Sequence, residues 1–204
     1  MAELTLTAFL TLDGVMQAPG GQGEDPSGGF QHEGWLVPHA DADMGAAIDE
    51  IFSKADAFLF GRTTYDIFAG HWPRVTDPND PVASKLNTLP KYVASRTRTA
   101  FDWAPTELLP DVVSGIAELK ERHAREIQVH GSCGLAQTLI EHDLIDEYRL
   151  FTFPVVIGSG KRLFGASATP ANLTLLRSSA TSAGAVISVY RRGPAFQTGS
   201  FMLD

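Results

Sequence analysis

Phe58-Leu59-Phe60-Gly61-Arg62-Thr63-Thr64-Tyr65-Asp66 decides the reading of this chain. Three consecutive apolar residues closed by a glycine read as the end of a buried strand, and the Arg-Thr-Thr run after it reads as the first turn of a helix. A strand that feeds a helix in this way leaves backbone N–H groups unpaired at the helix start, where the positive end of the helix dipole also attracts anions. Arg62 adds a guanidinium fork suited to phosphate oxygens, and Thr63 and Thr64 add hydroxyl donors. An ordinary strand-to-helix turn with a solvated Arg62 has the same letters, so further instances matter. Two follow: Tyr92-Val93-Ala94-Ser95-Arg96-Thr97, and Ile127-Gln128-Val129-His130-Gly131-Ser132-Cys133-Gly134. Set edge to edge on one sheet, the three ends form a long groove for an anionic cofactor. Its candidate lining is Gly61, Arg62, Thr63, Thr64, Ser95, Arg96, Thr97, Gly131, Ser132 and Cys133.

Outward from these ends, Leu4, Leu6, Ala8, Leu10 and Leu12 alternate with Thr5, Thr7, Phe9 and Thr11 in the period-2 pattern of a strand, which Asp13-Gly14 closes. Val15 to Pro38 is rich in Gly and Pro and reads as one long loop, of a length that in a compact domain marks a functional or a disordered segment; as a functional one it would act as a lid. Met44, Ala47, Ile48, Ile51 and Phe52 recur at helical spacing behind the capping candidates Asp41 and Asp43. The proline-rich stretch from His71 to Pro90 reads as loop with a helical turn around Val82 to Leu89. Val112, Ile116 and Leu119 mark another helix, and Leu135, Ala136, Leu139 and Ile140 one that starts near Gly131 and ends by Asp143. Tyr148 to Ile157, Leu173 to Leu176 and Ala185 to Arg191 read as closing strands. Strands alternating with helices, then strands alone, predict an α/β fold with a mainly parallel sheet, helices on its flanks and an antiparallel C-terminal edge. Residues 1–192 are expected to form a single domain and 193–204 a tail.

At 204 residues with 44% apolar and 20% charged content, the chain can bury a sizeable core. A net charge of -8 argues against nucleic acid and anionic membranes as partners, though not against a small phosphate ligand bound by local arginines. The single Cys133 excludes an internal disulfide and fits a reducing compartment. With no apolar run near the roughly 18 residues of a membrane helix and no basic leader, a soluble cytoplasmic protein is expected.

Competing chemistries fail on spacing. Ser132 nearly matches a G-x-S-x-G elbow, but His130 replaces the first glycine and no histidine follows His142, so the serine-hydrolase order is incomplete. Gly158-Ser159-Gly160-Lys161 lacks the upstream glycine of a P-loop, and Arg162 stands where a hydroxyl would hold magnesium. The six histidines show no metal-ligand pairing, so no metal is expected. Cys133 reads as a small residue at a helix start rather than a reactive thiol.

Taken in order, Leu12-Asp13-Gly14, Gly61 to Tyr65, Tyr92 to Thr97, Val129 to Ser132, Asp143 to Glu147 and Pro154 to Phe164 resemble the dihydrofolate reductase-like fold. Within it they resemble the reductase domain of riboflavin biosynthesis and its stand-alone bacterial relatives, over Leu4 to Arg191. The resemblance implies an NADPH-dependent reductase passing a hydride to a small heterocycle, of the 5-amino-6-(5-phosphoribosylamino)uracil reductase type, and a homodimer. It implies that Arg62 and Thr63, with Thr64, hold the cofactor phosphates, that Ser95 and Arg96, with Thr97, select the 2′-phosphate, and that Gly131 and Ser132 receive the pyrophosphate. The chain departs from folate-reducing members, which have paired glycines where His130-Gly131 stands and a pterin-binding carboxylate in the first helix, where Asp41, Asp43 and Asp49 are the candidates. Asp13, Asp41 and Asp43 are the candidates for proton delivery or substrate anchoring, against the plainer reading of a turn and two helix caps. A non-catalytic nucleotide- or flavin-binding dimer on the same fold is the alternative function.

Overall fold

The computed structural model describes residues 1–165 and 168–201. Alternation in the first segment produces β1 (Glu3–Thr11), which lies inside an eight-stranded sheet with β2 (Ala55–Gly61), β3 (Lys91–Ala94), β4 (Thr106–Leu109), β5 (Glu126–His130), β6 (Glu147–Phe153), β7 (Leu173–Ala180) and β8 (Val186–Arg192). The order is β4-β3-β2-β5-β1-β6-β8-β7. All pairings from β4 to β6 are parallel, and β6-β8 and β8-β7 are antiparallel. This is the expected fold class.

Two helices, α4 (Val112–Arg122) and α5 (Cys133–Glu141), cover one face of the sheet. There Ile116, Leu119, Leu135 and Leu139 meet Leu4, Leu6, Ile127 and Val129. The opposite face carries α1 (Ala42–Ser53), α2 (Arg62–His71) and α3 (Pro81–Thr88), whose Phe52, Tyr65 and Leu86 pack on Phe58, Phe60 and Val93. Among the described residues no helix is long and apolar enough to cross a membrane.

The stretch from Val15 to Pro38 is bound down rather than open. Val15, Ala18, Phe30, Trp35 and Leu36 form a core with Phe151 and Phe153. The Trp35 indole donates to Gln17 O at 2.8 Å, and the Gln17 amide donates to the carbonyls of Asp25 and Ser27 at 2.9 Å each. Three boundaries also differ from expectation. β4 escapes the pattern because it is a four-residue edge strand of mixed character behind Pro105. β6 stops at Phe153 because Pro154 has no N–H to continue the ladder. β7 runs on to Ala180, although almost all of it is exposed, because it pairs along its length with β8.

Beneath α1 the sheet face is polar. Arg149 on β6, only 2% exposed, reaches over β1 to Glu126 on β5, bonding its two oxygens at 2.7 and 2.9 Å, and also bonds Glu147 at 2.8 Å. The residues it crosses are small, Thr5 and Thr7, and their hydroxyls are buried without hydrogen-bond partners. Removing the guanidinium strands two carboxylates in a dry layer. Arg149→Ala is therefore expected to lower unfolding stability by about 3–5 kcal/mol in urea titration; a loss below about 1 kcal/mol would show that this ion group is not held out of water.

Candidate active site

Parallel pairing delivers the carboxyl ends of β3, β2, β5 and β1 to one edge, and a cavity of about 850 Å³ opens there. Gly61 pairs with Ala94, so the Ser95 turn begins one residue beyond it. On the other side Phe58 pairs with Gln128, which brings Gly61 level with Gly131. The approach is close: a Cβ on Gly61 would lie 2.0 Å from Ser132 Oγ and 2.7 Å from Ser132 Cβ. Gly61 has ordinary extended angles (φ -73°, ψ 156°), so the glycine serves space rather than conformation. Gly131 (φ +76°) and Ser132 (φ +66°) are both left-handed and swing the chain from β5 into α5. For Ser132 this backbone is strained, a feature that concentrates at ligand sites.

Helix capping separates the site from the rest of the molecule. Asp41 accepts from Met44 N in α1, Asp80 from Val82 N and Ala83 N in α3, and Asp111 from Ser114 N in α4. The N-caps of α2 and α5, Gly61 and Ser132, make no such bond. These two helices line the cavity with their first turns, through Thr63 and Thr64, and through Cys133 and Gly134. Two open sets of amides thus converge on the space beside the Gly61–Ser132 contact, an arrangement that holds anions.

The remaining wall is mostly apolar: Met16 and Leu36 from the long loop, Met44, Ile48 and Phe52 from α1, Ile67 and Phe68 from α2. His130 stands among them, stacked on Phe52 with ring centroids 4.5 Å apart. Its Nε2 lies 3.0 Å from Gln128 Oε1, while Gln128 Nε2 donates to Ile51 O (2.6 Å) and Glu126 (2.7 Å). The glutamine oxygen can only accept, so His130 Nε2 carries the proton and Nδ1 presents a lone pair. Burial, helped by the charge of Arg149, pushes the His130 pKa down to about 3 and keeps the ring neutral.

Four carboxylates and one lysine line the cavity. Glu24 accepts from Gly20 N and Gly21 N, and burial raises its pKa. Asp25 pairs with Lys161, and Asp80 caps α3. Asp49 makes no hydrogen bond or ion pair with any described residue.

The expected cofactor residues divide. Gly61, Thr63, Thr64, Gly131, Ser132 and Cys133 come together at the cavity. Arg62 sits at the rim, half exposed, with its guanidinium turned along α2 to Asp66 at 3.2 Å. Ser95 closes its own turn by accepting from Thr97 N (3.3 Å) and Arg98 N (2.9 Å), and Arg96 and Thr97 are exposed. None of these three lines the cavity, although they follow the strand next to Gly61.

The three expected proton-handling carboxylates do not reach the cavity. Asp13 accepts from Thr11 Oγ1 (2.6 Å), Gly158 N (2.8 Å), Ile157 N (3.2 Å) and Arg162 (3.2 Å). The Thr11 hydroxyl and the two amides hold its carboxyl well below the usual range, so it stays ionised and ties the end of β1 to the turn after β6. Asp41 caps α1 and accepts from Ala183 N, and Asp43 accepts from the amide and hydroxyl of Ser182. Of Asp41, Asp43 and Asp49, only Asp49 lines the cavity. Met44, Ile48 and Phe52 mark the cavity-facing stripe at steps of four, with Asp49 beside it; that spacing was the available signal.

Gly61→Ala is expected to destabilise the fold by about 1–3 kcal/mol, and Gly61→Ala with Ser132→Gly to recover most of that loss, because both clashing atoms are gone; additive losses in a double-mutant cycle would refute the contact. The neutral histidine gives a pH signature. An unfolded histidine gains its proton below about 6.5 whereas folded His130 gains it only near 3, so its contribution is intact above about 6.5 and falls on acidification. Between pH 7 and 5 the wild type should lose about 2 kcal/mol more stability than His130→Gln, measured by denaturant unfolding; parallel pH curves would contradict this.

The comparisons with known proteins agree with this fold. The uncharacterized protein YyaP of Bacillus subtilis strain 168 is 28% identical over 190 residues, covering 92% of this chain and 94% of that protein. A solved structure from Shewanella sp. PV-4, provisionally assigned to riboflavin biosynthesis, superposes with a TM-score of 0.71 at 22% identity over 95% of this chain and all of that one. A pyrimidine reductase-like protein of Corynebacterium diphtheriae superposes with a TM-score of 0.62 at 14% identity, over 95% of this chain and 92% of that one. The model of the RibD C-terminal domain matches residues 2–187, and the chain belongs to that family.

Proposed function

We propose that this chain is an NADPH-dependent reductase acting on a small heterocyclic substrate. The observation that carries the reading is the pair of uncapped helix starts, α2 and α5, opening into the cavity while the other three α-helices are closed by aspartates. Membership of the RibD C-terminal domain family supports it.

The residues fit a dinucleotide. The amides of α2, with the Thr63 and Thr64 hydroxyls, and the amides of α5 after Ser132 would hold the phosphates. Arg96 is exposed beyond β3, where it would meet a 2′-phosphate outside the cavity, and the half-exposed Arg62, next to Thr63, would meet the cofactor phosphates. NADPH, when bound, supplies the hydride. The chain supplies orientation, an apolar wall that keeps water from the reacting ring, and Asp49 as the unpartnered carboxylate able to anchor N–H groups of the substrate. The same reading carries a cytoplasmic homodimer, for which the outward Leu175 and Leu176 of edge strand β7 offer an apolar surface. The binding-only alternative is favoured by one feature, the commitment of Asp13, Asp41 and Asp43 to backbone amides. Oxidation of NADPH on addition of a reducible heterocycle separates the two.

Titration of protein fluorescence with NADPH and NADH tests the cofactor site. NADPH is expected to bind more tightly, and Arg96→Ala to weaken it about tenfold or more while leaving NADH unchanged. Failure of both nucleotides to bind, or NADPH affinity indifferent to both Arg62→Ala and Arg96→Ala, would overturn the assignment.

A further inference from the structure

We infer that the substrate of this cavity carries no phosphate and no net negative charge: it is a flat, largely apolar heterocycle, neutral or cationic. The inference rests on the reductase reading and narrows its substrate class. It departs from the phosphorylated ribosylaminopyrimidine that the family resemblance implies.

The wall outside the two helix starts has acceptors but no free cation. Its one lysine, Lys161, is bound to Asp25, and no arginine of the described residues lines the cavity. The amides of Gly20, which lines the cavity, and of its neighbour Gly21 are already taken by Glu24. Among the described residues, and apart from the single buried hydroxyl of Thr7, what remains free is the Asp49 carboxylate on α1 and the Nδ1 lone pair of His130. Phosphate oxygens are acceptors themselves, so they would find no partner at either group, and Asp49 would repel them. Substrate N–H groups, or a cationic ring, suit both.

His130 cannot become a cation to rescue an anion. Its Nε2 proton is fixed by Gln128, whose own amide is pinned to Ile51 O and Glu126, and Arg149 lies in the same layer. Burial next to that guanidinium holds the ring neutral. The other contacts available to a substrate are the apolar Met16, Leu36, Met44, Ile48 and Phe52. The donors suited to phosphate are confined to the α2 and α5 starts, which the dinucleotide uses. Among the described residues a second phosphate has no corresponding site in the cavity.

Lumichrome, riboflavin and riboflavin 5′-phosphate test the inference, because they share one flat ring system and differ in the absence of a chain, a neutral chain and a phosphorylated chain. Each is titrated into protein saturated with NADP+, and into protein alone. Lumichrome and riboflavin are expected to bind, and the phosphate ester to bind about tenfold more weakly or worse. Asp49→Asn keeps the shape and an acceptor oxygen while removing the charge, and is expected to narrow the gap several-fold through tighter binding of the phosphate ester. Equal or tighter binding of riboflavin 5′-phosphate by wild type saturated with NADP+, no binding of any of the three, or an unchanged gap in Asp49→Asn overturns the inference. NADP+ affinity is read separately in the same experiment. If NADP+ does not bind but the flavin order holds on protein alone, the cofactor assignment falls and the charge selectivity of the cavity stands.

Discussion

The close approach of β2 and β5 at their carboxyl ends is the constraint on which the site depends. Parallel pairing sets Gly61 level with Gly131, and the lack of a side chain at Gly61 lets Ser132 occupy the space a Cβ would need. Because both strands feed helices at that level, two helix starts emerge side by side with their amides uncapped. Neither helix start alone distinguishes a binding site from an ordinary turn. Their juxtaposition over a cavity supports the proposed site, since among the described residues no N-cap side chain satisfies the donors of either start.

A second constraint runs under the first. The face of the sheet below α1 is polar, and its bonds link Glu147 and Arg149 through Glu126 and Gln128 to His130 at the cavity wall. A buried ionic layer of this kind gives little net stability over a well-packed apolar one, but it fixes geometry, because each member accepts only certain partners. Here it orients Gln128 and through it selects one tautomer of His130. The chemistry offered at the wall, a neutral acceptor, is thus decided several residues away, in the interior. Packing of the long loop by Trp35 and Phe30 fixes the opposite wall in the same way, so the cavity is bounded by ordered structure on every element that reaches it.

What the sequence disclosed follows from the range of the interactions concerned. The strand-Gly-helix pattern at Gly61 and the strand-His-Gly-Ser-helix pattern at His130 are local, and both were legible, as was the order of elements that makes the sheet parallel. Asp41 was legible as a cap, and that plainer reading is the one the structure supports; a cap and a catalytic aspartate are spelled alike until the surrounding backbone is known. Asp13 shows the same ambiguity, since its partners Ile157, Gly158 and Arg162 lie across the fold. The spacing of Met44, Ile48 and Phe52 carried the buried stripe of α1 with Asp49 beside it, but Lys161, Met16 and Leu36 reach the wall only through the way residues 15–38 fold back, and no local pattern carries that. β4 was missed because four mixed residues behind a proline give no period, and its role at the edge comes from pairing with β3.

A crystal structure of the protein with NADPH bound measures the central claim most directly. The diphosphate is expected in contact with the first-turn amides of both α2 and α5, next to Gly61 and Ser132, with the nicotinamide ring inside the cavity within reach of His130 and Asp49. A nucleotide bound at any other surface, or one whose phosphates touch neither helix start, would contradict it.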